Sequence, residues 1–145
     1  MFNEFKAEFP ALACNESFAR MIAAGFIMEL DPTCSELTDI KTAVSEAVTN
    51  AIIHGYNENG GTVMLEGKRD GKTVTFTISD RGKGIENVEL ARTPLYTGAP
   101  GGERSGMGFT MMETFMDSVV VESTRDNGTK VVLIKTLSGG DTENE

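Results

Sequence analysis

Between Asn15 and Ala51 the apolar residues recur every three or four positions, whereas beyond the Gly60-Gly61 pair they alternate every second one. This switch from helical to strand period demands helices with one apolar stripe laid on a sheet with one apolar face. Phe18, Met21, Ile22, Phe26 and Leu30 mark a first helix, with Asn15 placed to cap its start and Asp31-Pro32 to stop it. Thr33 and Glu36 make a capping-box pattern, after which Leu37, Ile40, Val44, Ala47, Val48 and Ala51 carry the stripe of the longest helix, ending near Gly55. Ahead of both, Phe5, Ala7 and Phe9 alternate with Lys6 and Glu8 up to Pro10, as in an edge strand. Residues 63–66 and 74–78 flank an Asp70-Gly71 pair that favours a tight hairpin. A short helical stretch is expected near residues 87–91. Met107, Met111, Met112 and Phe115 mark a third main helix, and residues 119–121 pair with 131–134 across Asp126-Asn127-Gly128. The expected fold is an α/β (α+β) two-layer sandwich, a mixed, mainly antiparallel sheet with helices on one face.

The chain's 145 residues suffice for one core and not for two. Residues 1–137 read as one domain and 138–145 as a small, polar, acidic tail expected to be disordered. A net charge of −9 argues against sequence-nonspecific binding to nucleic acid or to an anionic membrane, both of which repel it. The N-terminus lacks a basic start followed by an apolar run, and no stretch of about 18 apolar residues occurs, so a cytoplasmic protein is expected. Cys14, Cys34 and the lone His54 are too few for a disulfide scaffold or a zinc site.

Glu46 and Asn50 stand four apart, on one polar face of the second helix. A solvated pair is the ordinary reading. Ile53 projects close to Glu46 and away from the core stripe, which suits a face covered by something partly apolar. A carboxylate able to take a proton, an amide oxygen suited to a hard cation and an apolar shelf are what a nucleotide with Mg²⁺ needs. Asp80-Arg81-Gly82-Lys83-Gly84 follows a β-branched strand. It reads equally as a simple turn or as an adenine site, in which Asp80 accepts from an exocyclic amine while Gly82 and Gly84 let the backbone approach a flat ring. Residues 98–108 carry five glycines into a helix start, with Arg104 beside Ser105, Gly106 and Gly108. A floppy surface loop is one reading, and a mobile lid whose backbone amides, helix end and cation attract phosphate is the other. The segment lacks the Lys-Ser/Thr ending of a Walker loop and the strand-helix-strand surroundings of a dinucleotide fingerprint.

In this order, residues 46–50, 80–84 and 106–108 resemble the N, G1 and G2 boxes of the GHKL ATPases, the superfamily of gyrase B, MutL and the histidine kinases. Within it, residues 15–20, 44–56 and 103–110 resemble the sporulation anti-sigma F factor family of serine-protein kinases, over the chain from the first strand to about Leu137. The resemblance implies a homodimer that binds ATP or ADP with Mg²⁺, captures a sporulation sigma factor, and phosphorylates a serine of an anti-anti-sigma antagonist. It casts Glu46 as general base, Asn50 as magnesium ligand and Asp80 as adenine reader. Gly82, Gly84, Ser105, Gly106 and Gly108 become nucleotide-approach positions, Arg104 the contact of the terminal phosphate, and Thr129 a strand threonine near the adenine. Glu16 and Arg20 become sigma contacts. The lid, residues 98–102, is richer in glycine and poorer in charge than the resemblance leads one to expect. Two alternatives stay open: a nucleotide-gated binding module without kinase activity, and a histidine-kinase-like catalytic domain. Against the latter, no helical hairpin with a phosphoacceptor histidine precedes the motifs, and His54 lies inside the second helix.

Overall fold

A computed structural model of the chain describes residues 2–55, 61–81, 105–123 and 128–138. Five strands form its sheet: β1 (Phe2–Pro10), β2 (Thr62–Asp70), β3 (Thr73–Asp80), β4 (Ser118–Ser123) and β5 (Thr129–Thr136). They lie in the order β1-β2-β3-β5-β4, and every pairing among the described residues is antiparallel. The expected edge strand is therefore β1, at one margin of the sheet. Register follows the alternation: Phe9 opposes Val63, Leu65 opposes Ile78 and Phe76 opposes Leu133, all on the buried face. Each such side chain taken from water contributes about 1.5–3 kcal/mol. Asp70 pairs with Thr73 across the two-residue loop Gly71-Lys72, and Gly71 supplies the positive φ of 62° that this hairpin requires.

Three main helices cover the sheet: α1 (Asn15–Ile27), α2 (Cys34–Asn50), continued by a π-helical turn (Ala51–Gly55), and α3 (Ser105–Phe115). α2 packs against both α1 and α3 and touches β3 and β5 beneath it. Its start is the expected capping box, with Thr33 Oγ1 accepting from the Glu36 amide at 3.0 Å and Glu36 Oε1 from the Thr33 amide at 2.9 Å. The stretch expected near residues 87–91 lies outside the described residues.

Two expectations for α1 are corrected. Asn15 is not the cap: Cys14 takes that position, and the Asn15 side-chain Nδ2 donates instead to the Pro10 carbonyl at 2.8 Å, fastening the helix to β1. Nor do Phe18 and Met21 belong to the core, for they are 51% and 65% exposed. The face turned inward is Ala19, Ala23 and Ile27, with Ile22 and Phe26 beside it. Alanines allow α1 and α2 to approach closely, and at about 100° per residue Phe18 and Met21 then point away from that contact. After α1 a 3₁₀ turn (Met28–Leu30) leads to Asp31, whose left-handed backbone, φ 57° and ψ 56°, stops the helical run.

Polar side chains tie the layers together. Arg69 is buried on β2, donates to the Phe26 carbonyl, pairs with Glu29 and has its guanidinium 5.0 Å from the Phe26 ring centre. Lys135 donates to the carbonyl of Phe115, the last residue of α3, at 2.9 Å and stands 4.0 Å from Asp39 of α2. A cation there suits the negative end of the α3 dipole. Ser138, placed in the tail on sequence, donates from its amide and hydroxyl to Glu36 Oε2 at 2.7 and 2.8 Å, and Leu137 beside it is buried. Burial by itself raises the Glu36 carboxyl, but the hydrogen bonds from Ser138 and Thr33 together hold it below its ordinary pKa. Residues 139–145 lie outside the described residues.

Candidate functional site

Asp80 is the last residue of β3 and lies on its helix-facing side, 8% exposed. Its partner across the ladder is Thr129, the first residue of β5, and Thr129 in turn opposes Ser123, the last of β4. One row of oxygen-bearing side chains thus crosses three strands at one end of the sheet. Gly128 fixes the row's spacing. Its φ is +84°, and a Cβ there would overlap the Asp80 carbonyl oxygen and come 2.8 Å from the Arg81 Cα. Only glycine lets the β4–β5 hairpin press so closely on the end of β3. Ser123 Oγ lies 2.9 Å from the Gly128 carbonyl and 2.8 Å from Thr129 Oγ1. An open cleft of about 390 Å³ runs over these groups, lined by Ser79, Asp80, Arg81, Glu122, Ser123, Gly128, Thr129 and Lys130.

α2 supplies the second half of the site. Glu46 is half-buried, and Asn50, one turn later, is 9% exposed with neither its amide oxygen nor its amide nitrogen hydrogen-bonded. This corrects the expectation that the two share a plainly polar face. Asn50 lies on the flank of the core stripe of α2, beside the buried Ala43 and Ala47. An unpaired buried amide costs about 1–3 kcal/mol, which makes Asn50 a candidate ligand-binding position. The π-helical turn that follows packs against β3, the strand carrying Asp80, and leaves Ile53 partly exposed. Such turns are frequent at functional sites.

Ser105, Gly106 and Gly108 lie in the first turn of α3, the helix start expected there. Gly82, Gly84, Arg104 and the lid at 98–102 lie outside the described residues. Glu16 and Arg20 stand apart from the cleft, on α1. Their charged groups are 3.6 Å apart, Arg20 Nη2 donates to Ser17 Oγ at 3.1 Å, and Ser45 of α2 donates to Glu16. Ser123 was missed on sequence, since one serine between a strand and a turn has no telling spacing; only the cross-strand register gives it a partner. Among the described residues no three His, Cys, Asp or Glu side chains cluster as a metal site, and no helix is long and apolar enough to cross a membrane.

Comparison with known proteins agrees with this fold. Residues 9–135 match the model of the histidine kinase-like ATPase domain. The anti-sigma F factor of Anoxybacillus flavithermus is 59% identical over 139 residues, 95% of each chain. That of Clostridium kluyveri is 53% identical over 136 residues, 94% of this chain and 96% of its own. Among solved structures, the RsbU and RsbW domains of a Mycobacterium tuberculosis protein superpose with a TM-score of 0.70 at 21% identity, over 94% of this chain and 32% of that one. The catalytic domain of the histidine kinase ThkA does so with a TM-score of 0.59 at 17% identity, over 94% and 96%. Both likenesses concern the fold. With its nucleotide-binding ATPase fold and this degree of identity over nearly its whole length, the chain belongs to the anti-sigma F factor family within the histidine kinase-like ATPases.

Proposed function

We propose that the protein is an ATP-dependent protein serine kinase that captures a sporulation sigma factor and inactivates that factor's anti-anti-sigma antagonist by phosphorylation. The observation that carries the proposal is the buried, unpartnered Asn50 amide one turn from Glu46. Its oxygen suits Mg²⁺, which binds through one or two protein ligands and substrate phosphates rather than in an all-protein cage. When bound, the cation offsets the charge of the β- and γ-phosphates. Asp80 accepts from the adenine amine, the amides at Ser105, Gly106 and Gly108 face phosphate, and Arg104 meets the terminal phosphate. The antagonist's serine oxygen then attacks the γ-phosphorus; the new O–P bond replaces the bond to the β–γ bridging oxygen, ADP leaves, and the hydroxyl proton passes to Glu46.

Capture belongs to α1, where Glu16 and Arg20 flank the exposed Phe18 and Met21. Charges around apolar anchors suit a protein partner, and a homodimer would present two such surfaces. Single-turnover phosphate transfer and sigma binding measured on one Glu46→Gln preparation test the proposal. Gln keeps the volume and cannot take the proton, so transfer should fall about 10²–10⁴-fold while ATP binding and capture persist. A fall under about tenfold would leave positioning alone to carry the reaction, and loss of binding as well would make Glu46 structural.

A further inference from the structure

We propose that Lys135 is a positioning residue for phosphate binding: it fixes where α3 stands along α2, and so the level at which the first turn of α3 meets Asn50. The inference rests on the ATP-site reading above. Val74 of β3 is flanked across the sheet by Arg69 of β2 and Lys135 of β5. Directly opposed residues share a face, so two cations rise from one row toward the helices. The row crosses β3 at the end away from Asp80, about 20 Å distant at the ordinary strand rise. Each cation ends on a helix terminus: Arg69 donates to the Phe26 carbonyl of α1, and Lys135 to the Phe115 carbonyl of α3 at 2.9 Å. The Phe115 carbonyl is among the last four of α3, which lack intrahelical partners.

Lys135 does more than cap. Its ammonium stands 4.0 Å from Asp39, so one side chain joins the end of α3 to the N-terminal half of α2. Because the two helices pack on each other and meet there end to start, they run antiparallel. At the helical rise, Asp39 to Asn50 on α2 and Phe115 to Ser105 on α3 lie about 16 and about 15 Å from the clamp. Arms of nearly equal length bring Asn50 and the start of α3 to one level. Ile134 and Thr136, on either side of Lys135, grip Asp117 just past the helix: the Ile134 carbonyl accepts from its amide at 2.9 Å, and the Thr136 amide donates to its carboxylate at 2.8 Å. Those bonds tie α3 to the sheet, whereas Lys135 also ties it to α2. Asp80 belongs to β3, so the adenine end and the phosphate end of the site are set by different elements. A shift of about 1 Å in donors facing phosphate weakens their bonds steeply.

Calorimetric titration of the full chain with Mg·ATP tests this in Lys135→Met, which keeps the apolar stem and removes the cation. ATP affinity should fall about tenfold. Lys135→Arg keeps the cation and a donor, and should bring affinity back to within about threefold of wild type. Arg69→Met removes the matching cation beneath α1, a helix with no part in the nucleotide site; it should lower the melting temperature yet leave ATP affinity within about twofold. Three results each overturn the proposal: a Lys135→Met affinity within about twofold of wild type, an Arg variant as weak as the Met variant, or an equal loss in Arg69→Met. In all three the wild type still binds ATP, and the ATP-site reading stands. Should either Met variant not fold, Asp39→Asn and Glu29→Gln, which take the acidic partner from each cation, make the same comparison: a loss confined to Asp39→Asn supports the proposal, and equal affinities overturn it. A wild type that binds no Mg·ATP overturns the reading itself and the proposal with it.

Discussion

At Gly128 the β4–β5 hairpin passes so close to Asp80 that any side chain would strike backbone rather than a movable neighbour. Gly128→Ala should destabilise the protein by about 1–3 kcal/mol, from strain at positive φ plus the overlap, and urea unfolding measures it. The same variant should weaken ATP, because the end of β3 must shift and Asp80 with it. Asp80→Asn tests the residue's chemistry instead of its placement: the amide keeps the shape but turns one acceptor oxygen into a donor facing an amine. A loss of about 1.5–3 kcal/mol in ATP affinity by calorimetry is expected in a folded variant, and unchanged affinity would remove Asp80 as the adenine reader. Asp80 was legible in the sequence as the head of a glycine-spaced motif after a strand. Ser123 was not, since its place beside Thr129 depends on a register that local spacing does not encode.

α2 carries the candidate base and cation ligand, and its first turn is where the chain end is fastened. Glu36 uses one carboxylate oxygen for Thr33 and the other for the amide and hydroxyl of Ser138. Its folded pKa lies below the unfolded one, so the unfolded chain binds more protons near that range and stability rises with pH. The stabilisation is complete above the ordinary carboxylate value and fades as pH falls below about 4. Glu36→Gln retains an oxygen for the cap but turns an NH₂ toward Ser138's donors. It should cost about 1 kcal/mol at neutral pH. Thermal melts of both proteins should converge on acidification, and a difference independent of pH would exclude the carboxylate as its source. The capping box was readable because its two residues lie three apart; the Ser138 contact, 102 residues away, was not.

Across the whole molecule the cleft and the α1 surface are separate, and α2 joins them. Ser45, which donates to Glu16, immediately precedes Glu46 in the chain, so α1 is bonded to the helix that carries the candidate base. Arg20→Glu places a like charge beside Glu16 and reverses the cation offered to a partner. Sigma-factor affinity should fall about tenfold or more while ATP affinity stays unchanged, as two titrations of one preparation would show. Unchanged sigma affinity returns Arg20 to an ordinary surface ion pair with Glu16 and Ser17.

Period, capping and turn chemistry are local, and the sequence by itself determined what depends on them: the helices, both hairpins, β1 as an edge strand, and the order of motifs that marks the family. Which face of α1 turns inward was not local. Bulk hydrophobicity favoured Phe18 and Met21, whereas close packing on α2 selected Ala19 and Ala23. Burial of Asn50 likewise came only with the packing of α2 against its neighbours, and the Asp80–Thr129–Ser123 row required three strands in register. Only the tertiary structure decided these, because each rests on contacts between segments far apart in the chain, where helical and strand periods carry no information.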